Sequence, residues 1–408
     1  MNDVDRSIAA FFDLDRTLLD MNSSTLWAKH ELWKRSISLR QFGRVLVWNA
    51  LYHLSLIDIE TAYKEALGHY RGRRWLLLAR EAFYLPFTLA VLLRARSRWP
   101  DIDLVHVNEI VSLAAIVFSR WLFRCPVVVH VRSVQDARHQ RLRSRLVASV
   151  LRRHAAAVVA IDETVRASLP PGIAAEVVHN GYAPRAAAAG SPDPLLPPRS
   201  QGTLRVAMVG NALAFKGVRE FVEAARLCRE RGLRVEFFMV GFRPDERAGP
   251  LRRLLKAAGF THDAADEIRS FIRRHGLEQT VRLLDFTPDI DRIYRDIDVL
   301  CFPSHLDAAG RPVFEAAHWK VPSIVAVREP RADTFVDRET GLRIEAGDPR
   351  AIADALEYCC RNPGEVARMG EAAHRLALEN FDSGRNAQRM LDIYRRVLDA
   401  ARAPGAAA

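Results

Sequence analysis

Short apolar runs alternate with amphipathic stretches along most of the chain. Runs at 8–14, 126–131, 156–161 and 177–181 are rich in Val, Ile, Leu and Phe and end in turn or polar residues, which predicts buried strands, and 100–108 reads as a loop running into another. Between them, 82–98 and 112–123 have helical spacing. From 202 onward the alternation starts again. Strands are predicted at 204–209, 234–240, 281–284, 299–302, 323–327 and 341–344, with helices at 217–231, 264–275, near Ile290, and at 349–360, 363–381 and 383–401. Buried strands separated by helices predict parallel sheets covered on both faces, hence two doubly wound Rossmann-like α/β domains with a central cleft. Residues 186–202, rich in Ala, Pro, Gly and Ser and without periodicity, read as the boundary between them. Residues 23–70 differ: 24–35, 38–53 and 57–69 read as successive amphipathic helices.

Composition narrows the class. With 408 residues, 49% of them hydrophobic, the chain can bury proper cores and is not a disordered protein. Its formal charge of +11 is uneven, because residues 21–200 hold 25 Lys plus Arg against 13 Asp plus Glu, whereas residues 201–408 hold 33 against 31. Arg71, Arg73, Arg74, Arg80, Arg94, Arg96 and Arg98 flank Trp75 and an apolar stretch. That combination suits anionic lipid head groups, and solvated helix faces give the same pattern. No nucleic-acid motif accompanies the charge, so nucleic acid is not an expected partner. The stretch 75–93 contains Arg80, Glu81 and Pro86 and falls short of the about 20 apolar residues of a spanning helix. Five scattered cysteines without metal-ligand spacing read as reduced thiols, and the acidic start of the chain does not read as an export signal, so a cytoplasmic protein is expected, with the inner membrane face as a place of attachment.

Two motifs carry chemistry. The run at 8–14 ends in Asp13-Leu14-Asp15, with Thr17 two positions on. Residues i and i+2 at a strand end project the same way, so both carboxylates can meet one phosphate and one cation. This resembles the first motif of the haloacid dehalogenase superfamily, phosphatase branch, and the helical stretch after it resembles that family's cap. The resemblance implies magnesium-dependent phosphoryl chemistry at Asp13, Asp15 and Thr17. Arg16 stands where that family has Gly, and its later motifs have no counterpart here, so the site reads as incomplete.

The second constellation is the run DVLCFPSHLDAAGRPVFE at 298–315, in which a strand, a Pro-Ser turn and a Gly-Pro helix start follow one another. Together with Gly210 after the strand at 204–209, Lys216-Gly217 and Phe286-Thr287, it resembles the carboxyl-terminal domain of retaining GT-B glycosyltransferases of family 4. The family has an acid, seven residues and a Glu, with Gly third after the first acid. Asp307, Gly310 and Glu315 match, with Asp307 one methylene shorter than the usual Glu. The resemblance implies that Glu315 binds the ribose of a nucleotide sugar, and that Asp307 and the amides near Gly310 and Arg311 approach the sugar diphosphate. Lys216, a cation just before a helix, works against the helix dipole unless an anion sits there too. Asn211 occupies the place of a usual Arg. In the first domain His130 matches a cleft-facing His, and Asn180-Gly181 matches the last turn before the linker.

The expected organisation is a dehalogenase-like fragment at 1–72, an incomplete, truncated GT-B amino-terminal domain at 73–190, a nucleotide-sugar-binding domain at 191–385, and a helix crossing back with a tail at 386–408. The strand at 8–14 either belongs to a joined fragment or substitutes as a sheet strand. The expected activity is transfer of a hexose-type sugar from a nucleotide-sugar donor to a lipid-linked or glycan acceptor with retention. His130 and Asp307 are the catalytic candidates, with Lys216, Glu315, Gly310, Arg311, Asn211, Gly210, Phe286 and Asn180 binding substrate. No essential cofactor is expected, and Mg only if the Asp13/Asp15 site works. The alternatives are that phosphatase and a non-catalytic nucleotide-binding fusion remnant.

Overall fold

The computed structural model describes residues 9–12, 75–110, 113–135, 141–185, 195–210, 213–242 and 264–403. They form two compact units, residues 1–179 with 386–408, and residues 180–385.

The first unit is built on a five-stranded parallel sheet, ordered β1 (Ala9–Phe12), β2 (Leu104–Asn108), β3 (Val127–Val131), β4 (Ala157–Ala160) and β5 (Glu176–Val177). β1 pairs with β2 in parallel, Ala9 opposite Leu104 and Phe12 opposite Val107. The apolar run before Asp13 is therefore a sheet strand. Helix α1 (Trp75–Arg98) carries Pro86 within it and lies beside α2 (Leu113–Phe123). α3 (Arg141–His154) and α4 (Glu163–Ser168) complete the crossovers. β3 shows why these strands read as unbroken apolar runs. Val127, Val129 and Val131 enter one core with Val105 and Val107, while Val128 enters a second with Leu104, Val159, Val178 and Ile393.

That second face is covered by the last helix, α11 (Ser383–Arg402), through Met390, Ile393, Tyr394, Val397 and Leu398. Buried Asn386 donates Nδ2 to the carbonyl of His179, 3.0 Å away, and fixes where the helix joins the unit.

The second unit holds a six-stranded parallel sheet in the order β11-β10-β9-β6-β7-β8. Its strands are β6 (Leu204–Val209), β7 (Val235–Val240), β8 (Val281–Leu284), β9 (Val299–Phe302), β10 (Ser323–Ala326) and β11 (Gly341–Ile344). Its helices are α5 (Val218–Glu230), α6 (Ala264–Arg274), α7 (Asp291–Tyr294), α8 (Arg311–Ala317), α9 (Pro349–Arg361) and α10 (Pro363–Asn380). Chain order reverses between β6 and β9, which pair as Val206 with Val299 and Ala207 with Leu300. A crevice at such a switch point, beyond the carboxyl ends of the strands, is where open α/β sheets bind ligands. Arg205, 1% exposed, locks the opposite end of β6: it donates to Glu236 (3.0 Å), Asp296 (2.7 Å) and the Pro197 carbonyl (2.5 Å).

Among the described residues no helix is long and apolar enough to cross a membrane. Element limits fall within a residue or two of the sequence expectation, with four exceptions, one of them the short helix α4, which the sequence reading does not include. α1 begins seven residues earlier than expected. β5 stops at Val177, and the polar His179-Asn180 that follow are outside it. α3 carries so many arginines that its helical stripe was not visible.

Ile393→Ala removes a side chain buried against three strands. It is expected to destabilise the first unit by about 2–5 kcal/mol, read as a shift of the urea midpoint. An unchanged midpoint would show that α11 is peripheral to the core.

Candidate functional site

At the switch point the β6–α5 loop meets the β9–α8 loop. β6 ends at Gly210 (φ 143°), whose amide bonds the Val240 carbonyl at 3.0 Å. A 3₁₀ turn over Ala214–Lys216 leads to Gly217, which caps α5 in the left-handed region at φ 79° with no side-chain hydrogen bond. A Cβ on Gly217 would lie 2.2 Å from the Pro303 carbonyl oxygen, so only glycine lets the loops touch. The His305 amide donates to the Phe215 carbonyl at 2.8 Å, which joins the loops a second time.

Phe302 joins them a third time. Its ring packs so closely on Gly310 that a Cβ there would come within 2.3 Å of Cζ, and the ammonium of Lys216 lies 5.6 Å from its centroid. Lys216 is half-buried, also stands over Phe215 at 5.7 Å, and has no carboxylate partner among the described residues. Burial pulls its pKa below the ordinary lysine value.

Glu315, 7% exposed in α8, accepts from the hydroxyl of fully buried Tyr294 at 2.9 Å and from Nε of Arg311 one turn earlier. Burial, then the neighbouring Glu315, raises the Tyr294 pKa far above its normal range and keeps it a donor. Arg311 is otherwise largely exposed. Asp307 takes a left-handed backbone (φ 51°), and its carboxylate accepts from the Arg328 amide (2.6 Å) and Nε (3.0 Å). Two bonds from one partner hold this uncommon conformation in place. Phe286 is 63% exposed two residues beyond β8.

Asp291, 2% exposed, anchors the start of this unit. Its Oδ1 accepts from the Tyr182 hydroxyl and from Trp319 Nε1 (2.7 Å), and its Oδ2 from the Arg185 amide (2.9 Å). A buried carboxylate with three donors is compensated for its desolvation. Asn180 precedes this anchor. A Cβ on Gly181 would meet Ser383 Cα at 2.6 Å, and Tyr182 bridges Asp382 in parallel, so the two chain passages between units run side by side here.

In the first unit, His130 is the last but one residue of β3. Its ring meets buried His106 edge-on at 5.4 Å, and the Tyr394 hydroxyl lies 2.7 Å from His106 Nδ1. His130 Nε2 is buried without a hydrogen-bond partner. Beside them Arg132 donates to Asn108 Oδ1 (3.2 Å), and Glu109 (φ 96°) accepts from the amides of Ile110 (2.8 Å) and Arg132 (3.2 Å). Burial is the main force lowering the pKa of His106 to about 4 and of His130 to about 3; Arg132 lowers both, and His106 lowers that of His130.

The structure therefore brings Lys216 and Gly310 together around Phe302, holds Arg311 on Glu315, sets Asp307 on Arg328, and places His130 in the other unit. Asn211, Asp13, Asp15 and Thr17 lie outside the described residues. Phe302, Tyr294, His305, Arg328, His106 and Tyr394 were not among the expected site residues. His106 had a signal, a polar residue at an interior position of an apolar strand. The others are brought in by packing.

Two parallel-sheet Rossmann-like domains are the architecture of the GT-B fold, and the solved structures that the chain resembles share it. Two glycosyltransferase families match parts of the chain: "Glycosyl transferases group 1" matches residues 198–376 and "Glycosyltransferase Family 4" matches residues 56–185. Among curated relatives, the capsular polysaccharide biosynthesis glycosyltransferase CapM of Staphylococcus aureus is 26% identical over 178 residues, 44% of this chain and 42% of that protein. The lipopolysaccharide core biosynthesis mannosyltransferase LpcC of Rhizobium leguminosarum bv. viciae is 26% identical over 134 residues, 33% of this chain and 38% of that one. The chain thus spans about two fifths of the length of these relatives. Among solved structures, Anabaena HepE in complex with UDP and glucose aligns with TM-score 0.58 at 19% identity, covering 76% of this chain and 81% of that one. Sucrose-phosphate synthase of Thermosynechococcus elongatus gives 0.58 at 17%, covering 78% of each.

The histidine pair sets a pH dependence. Both folded pKa values lie below the ordinary 6.5, so between about 6.5 and about 3 the unfolded chain binds more protons. The stability they contribute is complete above pH 6.5 and is lost as pH falls through that window. The first unit's melting temperature is expected to drop on acidification from about pH 7 to about pH 4, less steeply in His130→Asn. An identical slope in the variant would remove His130 from the account.

Proposed function

We propose that the protein is a glycosyltransferase that moves a sugar from a nucleotide-sugar donor to an acceptor with retention of configuration. The observation that carries this reading is Lys216: a half-buried cation with no carboxylate partner among the described residues, at the uncapped start of α5 and at the switch point of a group 1 domain. An ammonium there opposes the helix dipole, and a diphosphate supplies the missing anion to both the ammonium and the first-turn amides. Glu315, fixed by Tyr294, is the ribose ligand of this reading, and Arg311, held against it, stays exposed for a phosphate.

His130 offers an unpartnered, neutral imidazole nitrogen at a strand end, fit to accept from a sugar hydroxyl. Asp307 is the acid of the sugar subsite, reached once Arg328 yields one of its two bonds. The phosphate charge is met by protein groups, so this reading needs no metal. HepE was solved with UDP and glucose, the ligand type assigned here. The relatives named for capsular polysaccharide and lipopolysaccharide core synthesis support a glycan or lipid-linked acceptor. Attachment at a cytoplasmic, anionic membrane face belongs to the same reading, supported by exposed Trp99 and Trp121 among exposed Arg94, Arg98, Arg120 and Arg124. No observation favours the phosphatase or the inert remnant.

The test is calorimetric titration with UDP, repeated with other nucleoside diphosphates, followed by nucleotide release from the matching nucleotide sugars. Lys216→Ala is expected to weaken diphosphate binding about tenfold or more, and Glu315→Gln to weaken the nucleoside as well. A parent protein that binds none of the nucleotides would end this reading.

A further inference from the structure

Glu220 lies in the first turn of α5, four residues beyond Lys216. An acid is favoured there by the helix dipole, but it also repels any anion held at the same N-terminus. Lys216 does not neutralise it, since among the described residues the lysine pairs with no carboxylate and stands over Phe302 and Phe215 instead. Glu220 points to His305: its side chain is mostly buried, its Oε1 lies 3.1 Å from His305 Nε2, and its Oε2 is buried with no partner among the described residues. His305 is itself pinned, its amide donating to the Phe215 carbonyl at 2.8 Å, two residues from the tight Gly217–Pro303 contact.

We propose that His305 is a positioning residue for the donor diphosphate, which engages the Glu220 carboxylate and turns it away from the anion held by Lys216. The proposal rests on the nucleotide-sugar reading above. It makes the β9–α8 loop part of the anion site without touching the anion. Glu220 thereby keeps its dipole contribution to α5 while its charge is directed at an imidazole. An imidazole within hydrogen-bond reach of a mostly buried carboxylate also limits how far the Phe215–Lys216 turn can drift from Pro303. When His305 is removed, the carboxylate regains its freedom next to the phosphates and the turn loses one of its ties.

The experiment compares UDP with uridine, which lacks the phosphates, on the full chain. His305→Ala is expected to weaken UDP about tenfold while uridine changes less than about twofold. Glu220→Gln on the H305A background should recover most of that loss, because the freed charge is gone. Glu220→Gln alone keeps an oxygen for His305 and should bind UDP at least as tightly as the parent. This variant reports even where alanine at 305 loosens the loop. Unchanged UDP affinity in H305A, an equal loss for uridine, failure of the double variant to recover, or a several-fold loss in E220Q would each overturn the role. A parent that does not bind UDP would overturn the nucleotide reading beneath it.

Discussion

The contact between Gly217 and the Pro303 carbonyl is the constraint around which the second unit's site is built. With a would-be Cβ only 2.2 Å from that oxygen, the helix that starts at Val218 is pressed onto the end of β9. That pressure is what puts Lys216 over Phe302 and lets Phe302 reach across to Gly310. Two glycines thus do related work at neighbouring residues at the end of β9, Gly217 against Pro303 by adopting a left-handed backbone and Gly310 against the Phe302 ring by leaving room. Larger residues at either place would move a loop rather than a side chain, because the atoms in the way are a carbonyl and a packed ring.

The buried polar groups divide into those that are satisfied and those that are not. Arg205, Asp291 and Glu315 are each enclosed, and each has two or three partners, as interior charges require. Lys216 and His130 are different. Among the described residues one is a half-buried cation without an acid and the other a buried ring nitrogen without a partner; Lys216 lies in the turn that follows β6, and His130 is the last but one residue of β3. Structural interiors rarely leave such groups open, whereas ligand sites do so routinely.

Much of the fold was legible in the sequence because every interior strand is buried on both faces and therefore reads as an unbroken apolar run. The motif from Asp307 to Glu315 was legible too, since its spacing is local and its glycine is needed where it stands. The partners that define what those acids do were not. Tyr294 reaches Glu315 from 21 residues away, Arg328 reaches Asp307 across another 21, and Tyr394 reaches His106 across 288. Nothing in a linear pattern encodes such meetings, which tertiary packing alone creates. The strand Ala9–Phe12 shows the same limit from the other side: its apolar character was plain, but its place beside β2 depends on pairing with a segment more than ninety residues on.

The first unit is discontinuous, with α11 packing onto a sheet made more than 200 residues earlier. During synthesis, the face formed by Leu104, Val128, Val159 and Val178 emerges long before Ile393 exists to cover it. The unit therefore cannot finish folding in the order in which it is made. Its apolar face stays open to solvent, to chaperones and to other nascent chains while the entire second unit is translated. Completion of the chain becomes a checkpoint: a product truncated within the second unit leaves an uncovered sheet rather than a folded first domain.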